Sequence, residues 1–326
     1  MLGVGAFGRV YYATLKHNPH KHFALKMISK MKVTDKSLEQ VLTELKILIL
    51  MSAISENSFV TNMYCAFQTS SYLVFCIEYV AAGNLSIYLT KLKKFELNVC
   101  KFIAGEVILG LLYLHYRLKI THRDLKLENV LVDEHGHCKL TDFGLSKIGK
   151  IQAYSFCGSI NNLAPEVLKG ADDFAAARTV DYWMLGCLVY HMLVGKPPFH
   201  HKDRRTLIEK ITLGSYDLSL IEDTTARDFV SGLLTTNPNY RLGSGGVEEI
   251  LYHPFFETID LKELARKSQA SPLKPYIEET VIDQSKIEDT LDSCHSPPSK
   301  SSTTFCFKPK TSTTRSETSD DEFRNN

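Results

Sequence analysis

Residues 121–144 read Thr121-His122-Arg123-Asp124-Leu125-Lys126-Leu127-Glu128-Asn129-Val130-Leu131-Val132-Asp133-Glu134-His135-Gly136-His137-Cys138-Lys139-Leu140-Thr141-Asp142-Phe143-Gly144. Two short apolar runs flank a polar turn here, the pattern of two short strands. Working outward, residues 85–118 space their apolar side chains helically, and the stretch VILGLLYLHYRL at 107–118 is apolar enough for a helix buried on most sides. Helical patterns resume at 180–195 (VDYWMLGCLVYHMLVG) and 225–236 (TARDFVSGLLTT). The strand pair therefore sits inside a large helical unit.

Further upstream the period changes. Residues 9–15 and 22–28 alternate as strands around the polar turn KHNPHKH, and residues 59–68 and 72–80 give two more strand-like runs. Between them, residues 37–54 place Val41, Leu45 and Leu48 on one helical stripe and leave Glu44 to point elsewhere. The strand-rich unit closes near residue 80, at Ala81-Ala82-Gly83. Met1-Leu2-Gly3 enters a glycine-rich turn with no strand before it to complete a hairpin, so the first strand of this unit is expected to be missing. After HPFFETI the periodicity fades near residue 259, and from about residue 283 Ser and Thr dominate. Such a segment buries too little apolar area to offset its ordering entropy and is expected to be largely disordered. The reading is an α+β chain with units 1–80 and 81–258 and a tail at 259–326.

Composition excludes several classes. The chain has 326 residues, 44% apolar and 23% charged, with Lys+Arg 38 against Asp+Glu 37 and a formal charge of +1. Such a chain has no global basic field to hold nucleic acid or an anionic membrane. The eight cysteines are scattered, with no C-x-x-C pair and no zinc-ligand spacing, which reads as reduced thiols in a cytoplasmic or nuclear protein without a structural metal. There is no signal-peptide pattern and no apolar run near the roughly 20 residues that cross a bilayer. A soluble chain without membrane insertion, acting as a monomer, is expected.

Gly3-x-Gly5-x-x-Gly8-x-Val10 can bring backbone N–H groups against phosphate oxygens, because glycine has no Cβ to block the approach. The same spacing marks dinucleotide sites, but those need a helix directly after the glycines, and Val10 opens a strand pattern. Five fragments farther along the chain strengthen the phosphate reading: Ala24-Leu25-Lys26, then Glu44, then His122-Arg123-Asp124 with Asn129, then Asp142-Phe143-Gly144, then Ala164-Pro165-Glu166. In this order the set resembles the eukaryotic protein kinases from the first residues to about residue 258. The resemblance implies a bilobal fold with a small antiparallel sheet lobe carrying one helix, a larger helical lobe and a C-terminal tail.

It also implies ATP and Mg²⁺ as cofactors and proteins as substrates. Lys26 would hold the α- and β-phosphates, Glu44 would fix Lys26, and Asn129 and Asp142 would supply oxygen ligands to the metal. Asp124 would accept the proton of the substrate hydroxyl, with Lys126 beside it in the catalytic loop. Leu2, Gly3, Gly5, Gly8 and Val10 would cover the nucleotide. Ala24 and Leu131 would sandwich the base with Val10, Glu78 and Val80 would offer backbone groups to it, and Ile77 would stand as gatekeeper. Leu48, Met63, His122 and Phe143 match the stacked spine of active kinases, and each is equally a packing residue.

Lys126, two residues after Asp124, marks serine/threonine specificity. Tyr154-Ser155-Phe156-Cys157-Gly158, Arg241-Leu242-Gly243, His253-Pro254-Phe255-Phe256 and the PLKPYI stretch at 272–277 are similar to the AGC group, and within it to the ribosomal S-six kinase branch. Ser155 is then the activation-loop phosphosite, set by an upstream activating kinase and paired by Arg123 and Lys147. Departures stand out where that group reads upstream arginines with acids. Glu128 remains, but Asn84 and His191 replace expected acids and Ser159-Ile160-Asn161-Asn162 replaces T-P-E-Y, which predicts a less basic substrate preference. In the tail, Ser296-Pro297 is a candidate phosphosite, while Cys306 occupies the phosphorylatable position of a degraded hydrophobic motif. Two rivals stay open: a pseudokinase scaffold acting by partner binding, and a small-molecule phosphotransferase.

Overall fold

The computed structural model describes residues 1–4, 8–54, 58–149, 160–170 and 175–277. Its small lobe is a five-stranded antiparallel sheet: β1 (Gly3–Val4), β2 (Gly8–Leu15), β3 (Asn18–Ser29), β4 (Met63–Gln68) and β5 (Tyr72–Glu78), in the order β1-β2-β3-β5-β4. β1 begins at Gly3, the first glycine of the turn, and gives β2 a two-residue partner there. Gly3 pairs with Val10 and Val4 with Arg9, and the Leu2 N–H donates to the Val10 carbonyl at 2.8 Å. Two residues carry too little alternation to register as a strand in the sequence.

Helix α1 (Asp35–Ala53) begins at a capping box in which Thr34 and Ser37 exchange side-chain-to-backbone bonds. It buries Val41, Ile47, Leu48 and Met51 in the core. The expected single helical run at 85–118 is two helices, α2 (Leu85–Leu92) and α3 (Leu97–Leu112), the second continued by a π-helical turn at Tyr113–Arg117. The break falls at Lys93, which adopts φ +69°. There Gly195 lies so close that a Cβ would come within 2.2 Å of the Lys93 carbonyl oxygen. The stretch Leu97–Arg117 is in fact long and apolar enough to span a bilayer by length and composition alone, against the sequence expectation. It forms the centre of the large lobe, 78% of it buried there.

Around α3 lie the short pairs β6 (Ile120–Thr121) with β9 (Lys147–Ile148) and β7 (Val130–Val132) with β8 (Cys138–Leu140). The remaining helices are α4 (Pro165–Leu168), α5 (Ala175–Val194), α6 (Arg204–Leu213), α7 (Thr224–Leu233), α8 (Glu248–Leu251), α9 (Leu261–Ala265) and α10 (Lys274–Ile277). Regular structure thus continues past residue 259, where periodicity fades. Leu264 and Leu273 are fully buried, and Ser271 Oγ donates to the Gly136 carbonyl at 2.7 Å, docking this segment on the β7–β8 turn. Buried Glu106 on α3 accepts from the Cys138 N–H and bonds His137 Nδ1, both at 2.6 Å, fixing the same turn from below. Residues 278–326, including Ser296 and Cys306, lie outside the described residues.

The lobes meet along the end of β5. The Glu78 carboxylate pairs with Lys139 of β8 and accepts from the Asn62 N–H. The Thr61 N–H donates to Leu140 O at 2.9 Å, and Ala82 and Val132 connect at 3.0 Å. Catalytic-loop residues and sheet residues are thereby held across one cleft.

Candidate active site

Strand β3 presents Lys26 toward α1, where its ammonium lies 2.5 Å from Glu44 Oε1 and 2.9 Å from Asp142 Oδ1. These two carboxylates come from residues 18 and 116 positions from Lys26 along the chain, so only the tertiary fold joins them. Burial pulls the Lys26 pKa down, but the two carboxylates overcome this and leave it raised. Burial also pushes the Glu44 carboxyl up, with Lys26 opposing. Asp142, open to the cleft, feels burial upward but is held below its ordinary value by Lys26. The result is an ammonium fixed between two anions.

Across the cleft, Asp124 is held by its neighbours. Lys126 Nζ donates to Asp124 Oδ2 at 2.7 Å, and Asn129 Nδ2 donates to the same oxygen and to the Asp124 carbonyl, both at 2.8 Å. Among the described residues nothing donates to Asp124 Oδ1, so that oxygen remains for a hydroxyl. The Asn129 amide nitrogen is committed, which leaves its carbonyl oxygen as the donor toward a cation. With the Asp142 carboxylate this makes a set of hard oxygen donors of the kind Mg²⁺ takes.

Ala24 and Val80 are buried, and Leu131 and Val10 are partly buried. Neither the N–H nor the C=O of Val80 is bonded to another described residue, an arrangement that suits the edge of a base. Gly8 passes so near β3 that a Cβ would stand 1.9 Å from the Met27 carbonyl oxygen, so no other residue fits. Leu2 and Gly3 are placed at β1, while Gly5 lies outside the described residues. Leu48, Met63, His122 and Phe143 are all buried, and the His122 and Phe143 rings meet edge-on at 5.3 Å.

Sequence reasoning missed Asp181. From α5, fully buried, it accepts from the His122 N–H at 2.8 Å, from the Arg123 N–H at 2.7 Å and from His115 Nε2 at 2.7 Å. Arg123 adopts φ +67° and Asp142 φ +61°, both uncommon for non-glycine residues. The Asp181 carboxylate is what holds the first of these turns. Its only signal in sequence is a lone charge within an apolar helical run, which ordinarily reads as a surface position.

Burial pushes the Asp181 pKa up, but the His115 hydrogen bond and charge, with His122 and the Arg123 N–H, bring it below the ordinary value. A depressed carboxyl stabilises fully above its unfolded pKa, about 3.9, and loses that contribution as pH falls through the native value. Asp181→Asn turns an N–H toward one of three donors and is expected to cost about 1–3 kcal/mol at neutral pH. In urea titrations the gap to the parent should narrow below about pH 4. A gap independent of pH would contradict this assignment.

Arg123, buried, and Lys147 line one small cavity with Gln40, Thr43, Leu145 and Ser146; Ser155 and Ser159 follow in the sequence. Both serines lie outside the described residues. Farther on, Glu166 of α4 and fully buried Arg241 form a two-pronged pair at 2.6 and 2.8 Å.

A small sheet lobe that fixes an ammonium between two carboxylates, facing a helical lobe that presents a carboxylate and an amide, defines the protein kinase class of fold and site. The protein kinase domain model matches residues 1–256, and the chain belongs to that family. It is 38% identical over 299 residues to Protein kinase 3 of Dictyostelium discoideum, covering 87% of this chain and 32% of that protein. It is 37% identical over 286 residues to protein kinase C eta type of Mus musculus, covering 85% and 40%. Protein kinase C of Drosophila melanogaster is 38% identical over 283 residues, with 84% and 37% covered. The chain thus spans between about a third and two fifths of the length of these relatives.

Proposed function

We propose that this domain transfers the γ-phosphate of ATP, with Mg²⁺, to serine and threonine hydroxyls of protein substrates. The observation that carries the reading is Lys26 held between Glu44 and Asp142 opposite an Asp124 oriented by Lys126 and Asn129. Phosphoryl transfer needs positioned charge more than covalent chemistry, and this set supplies it. Bound Mg²⁺ would neutralise phosphate charge, held by the Asn129 carbonyl oxygen and the Asp142 carboxylate. Lys26 orients the nucleotide, and Asp124 Oδ1 receives the hydroxyl proton. Retention of every one of these groups argues against a scaffold that only binds partners. By resemblance, the Ala164-Pro165-Glu166 element, anchored by Arg241, belongs to a peptide-binding platform, which argues against a small-molecule substrate. Incubation with γ-labelled ATP, Mg²⁺ and mixed protein substrates should place label on phosphoserine and phosphothreonine; label on neither would remove the reading.

AGC membership is supported by the YSFCG and HPFF stretches and by the protein kinase C relatives, and the narrower ribosomal S-six kinase assignment rests on YSFCG, RLGSG and the tail layout. Phosphorylation at Ser155 by an upstream kinase is supported by the YSFCG resemblance and by Arg123 and Lys147 lying together as two nearby cations. A monomer in the cytoplasm or nucleus fits the near-zero charge and scattered thiols.

Substrate preference is set at the cleft of about 140 Å³ beside Lys126, where Glu128 faces His191, Asn161 and Asn162. Burial lowers the His191 pKa, with Glu128 pulling the other way, so the imidazole is neutral near pH 7. Asn84, for its part, uses Oδ1 to cap α2 at the Ile87 N–H. Among the described residues the cleft thus offers one carboxylate, Glu128, where stronger selection for arginine would need more. His191→Glu adds an acceptor for a charge-assisted contact worth about 1.5–3 kcal/mol. In a positional peptide library it should raise selection for arginine upstream of the acceptor by roughly 10-fold or more. Strong arginine selection in the parent chain would overturn the prediction.

A further inference from the structure

Cys65 on β4 stands directly opposite Cys76 on β5. The pairing is set by a bulge: Met63 faces Ile77 and Cys65 faces Cys76, so Tyr64 is the extra residue. Residues opposed across antiparallel strands have Cα atoms about 4.5–5.5 Å apart and side chains on the same face. That falls inside the range of about 4.4–6.8 Å in which a disulfide closes without backbone movement. Neither cysteine is in a disulfide. Cys100, Cys138 and Cys187 are buried on α3, β8 and α5, elements remote in role from this pair.

The two thiols differ in access. Cys65 is partly exposed and Cys76 is buried. The Lys21 ammonium, which lies over the Tyr64 and Phe23 rings at 5.6 and 5.8 Å from their centroids, is the cation that favours thiolate here. Burial and the neighbouring Cys65 push the Cys76 thiol up to about 12, and Cys65 is the more exposed of the two, so an oxidant reaches Cys65 first. Strand alternation sets Cys76 on the sheet face opposite Phe75 and Ile77, whose partners on β3 are Lys26 and Ala24. A bridge at this position would leave the nucleotide-facing side chains in place.

We propose that Cys65 and Cys76 are a peroxide-responsive modification site, closing to a reversible cross-strand disulfide that pins edge strand β4 to β5, the strand leading into the connection between the lobes. The Cys65 thiolate attacks a hydroperoxide, the O–O bond breaks, and Cys65 becomes a sulfenic acid as the alcohol, or water, departs. The Cys76 sulfur then displaces the sulfenic hydroxyl, the S–S bond forms, and the thiol proton leaves with that hydroxyl as water. Two thiols are oxidised and one peroxide is reduced. An external dithiol reverses the step by exchange.

The test is made on the full chain without reference to catalysis. After treatment with one equivalent of hydrogen peroxide, alkylation and digestion, the peptides carrying Cys65 and Cys76 should appear as one linked species lighter by two hydrogens than their sum. Dithiothreitol should restore both alkylated peptides. The oxidised chain should melt roughly 5 °C higher, because a short loop is closed in its unfolded state. In Cys65→Ser, Cys76 should be recovered as a free thiol after the same treatment. Recovery of both peptides separately from the oxidised parent overturns the proposal, as does a link from Cys65 to another cysteine or accumulation of sulfinic acid at Cys65. The peptide map of the parent chain decides the matter even if the variant does not fold.

Discussion

Asp124→Asn is expected to lower kcat by roughly 10²- to 10⁴-fold, the span that a positioned general base contributes. The KM for ATP should stay within about 3-fold, because this side chain touches Lys126 and Asn129 rather than the Lys26 cluster. The reason lies in the division of labour between the two carboxylate oxygens. Oδ2 accepts from both the Lys126 ammonium and the Asn129 amide, which fixes the plane of the group, and Oδ1 is left to receive a proton. An asparagine keeps the volume and one acceptor but has no negative charge, and its amide nitrogen faces either a donor or the substrate hydroxyl. Initial-rate kinetics on purified parent and variant, with a thermal melt to show that both fold, check the prediction. An unchanged kcat would remove Asp124 from the reaction and with it the proposed role of Lys126.

Much of this site was legible because each of its parts is a short contiguous fragment whose residue types are dictated by phosphate and metal chemistry. Lys26, Glu44, Asp124, Asn129 and Asp142 could each be placed, and the cleft does bring them together. What was not legible depends on contacts with no local pattern. Asp181 stands in an apolar helix like any stray charge, and only the fold reveals three donors converging on it. The docking of residues 261–277 rests on two helices of four and five residues, too short for a period to show, held by Ser271 and Leu264. β1 is shorter still. Cys65 and Cys76 look like two scattered thiols until the bulge at Tyr64 sets their register. Local physics wrote the chemistry into the chain, whereas the packing that holds backbone residues such as Arg123 in left-handed conformations is distributed over elements far apart in sequence.

Arg241→Ala is expected to destabilise the domain by about 3–5 kcal/mol, the usual cost of leaving one partner of a buried ion pair behind. The guanidinium is fully buried and spends its fork on three elements. Nη1 and Nη2 bond the two Glu166 oxygens at 2.6 and 2.8 Å, Nη1 also donates to the Thr179 carbonyl at 2.7 Å, and Nε donates to the Thr235 carbonyl at 3.0 Å. The group also stacks over Trp183, 5.1 Å from the ring centroid. Truncation strands a buried carboxylate and two carbonyls and opens a cavity, so the loss is larger than any single bond is worth. Arg241→Lys should recover little, since an ammonium cannot present two parallel N–H groups to Glu166 while also reaching both carbonyls. Pairing Arg241→Ala with Glu166→Ala should cost clearly less than the sum of the two single changes, because the double variant no longer buries an unpaired charge. For a domain of this size each kcal/mol moves Tm by about 2–4 °C, so the single variant should melt at least roughly 6 °C below the parent. Thermal and urea unfolding of the parent and the four variants check this. Additive losses, or full rescue by lysine, would show that the pair acts as separate contacts rather than as the anchor that fastens α4 to α5 and to the end of α7.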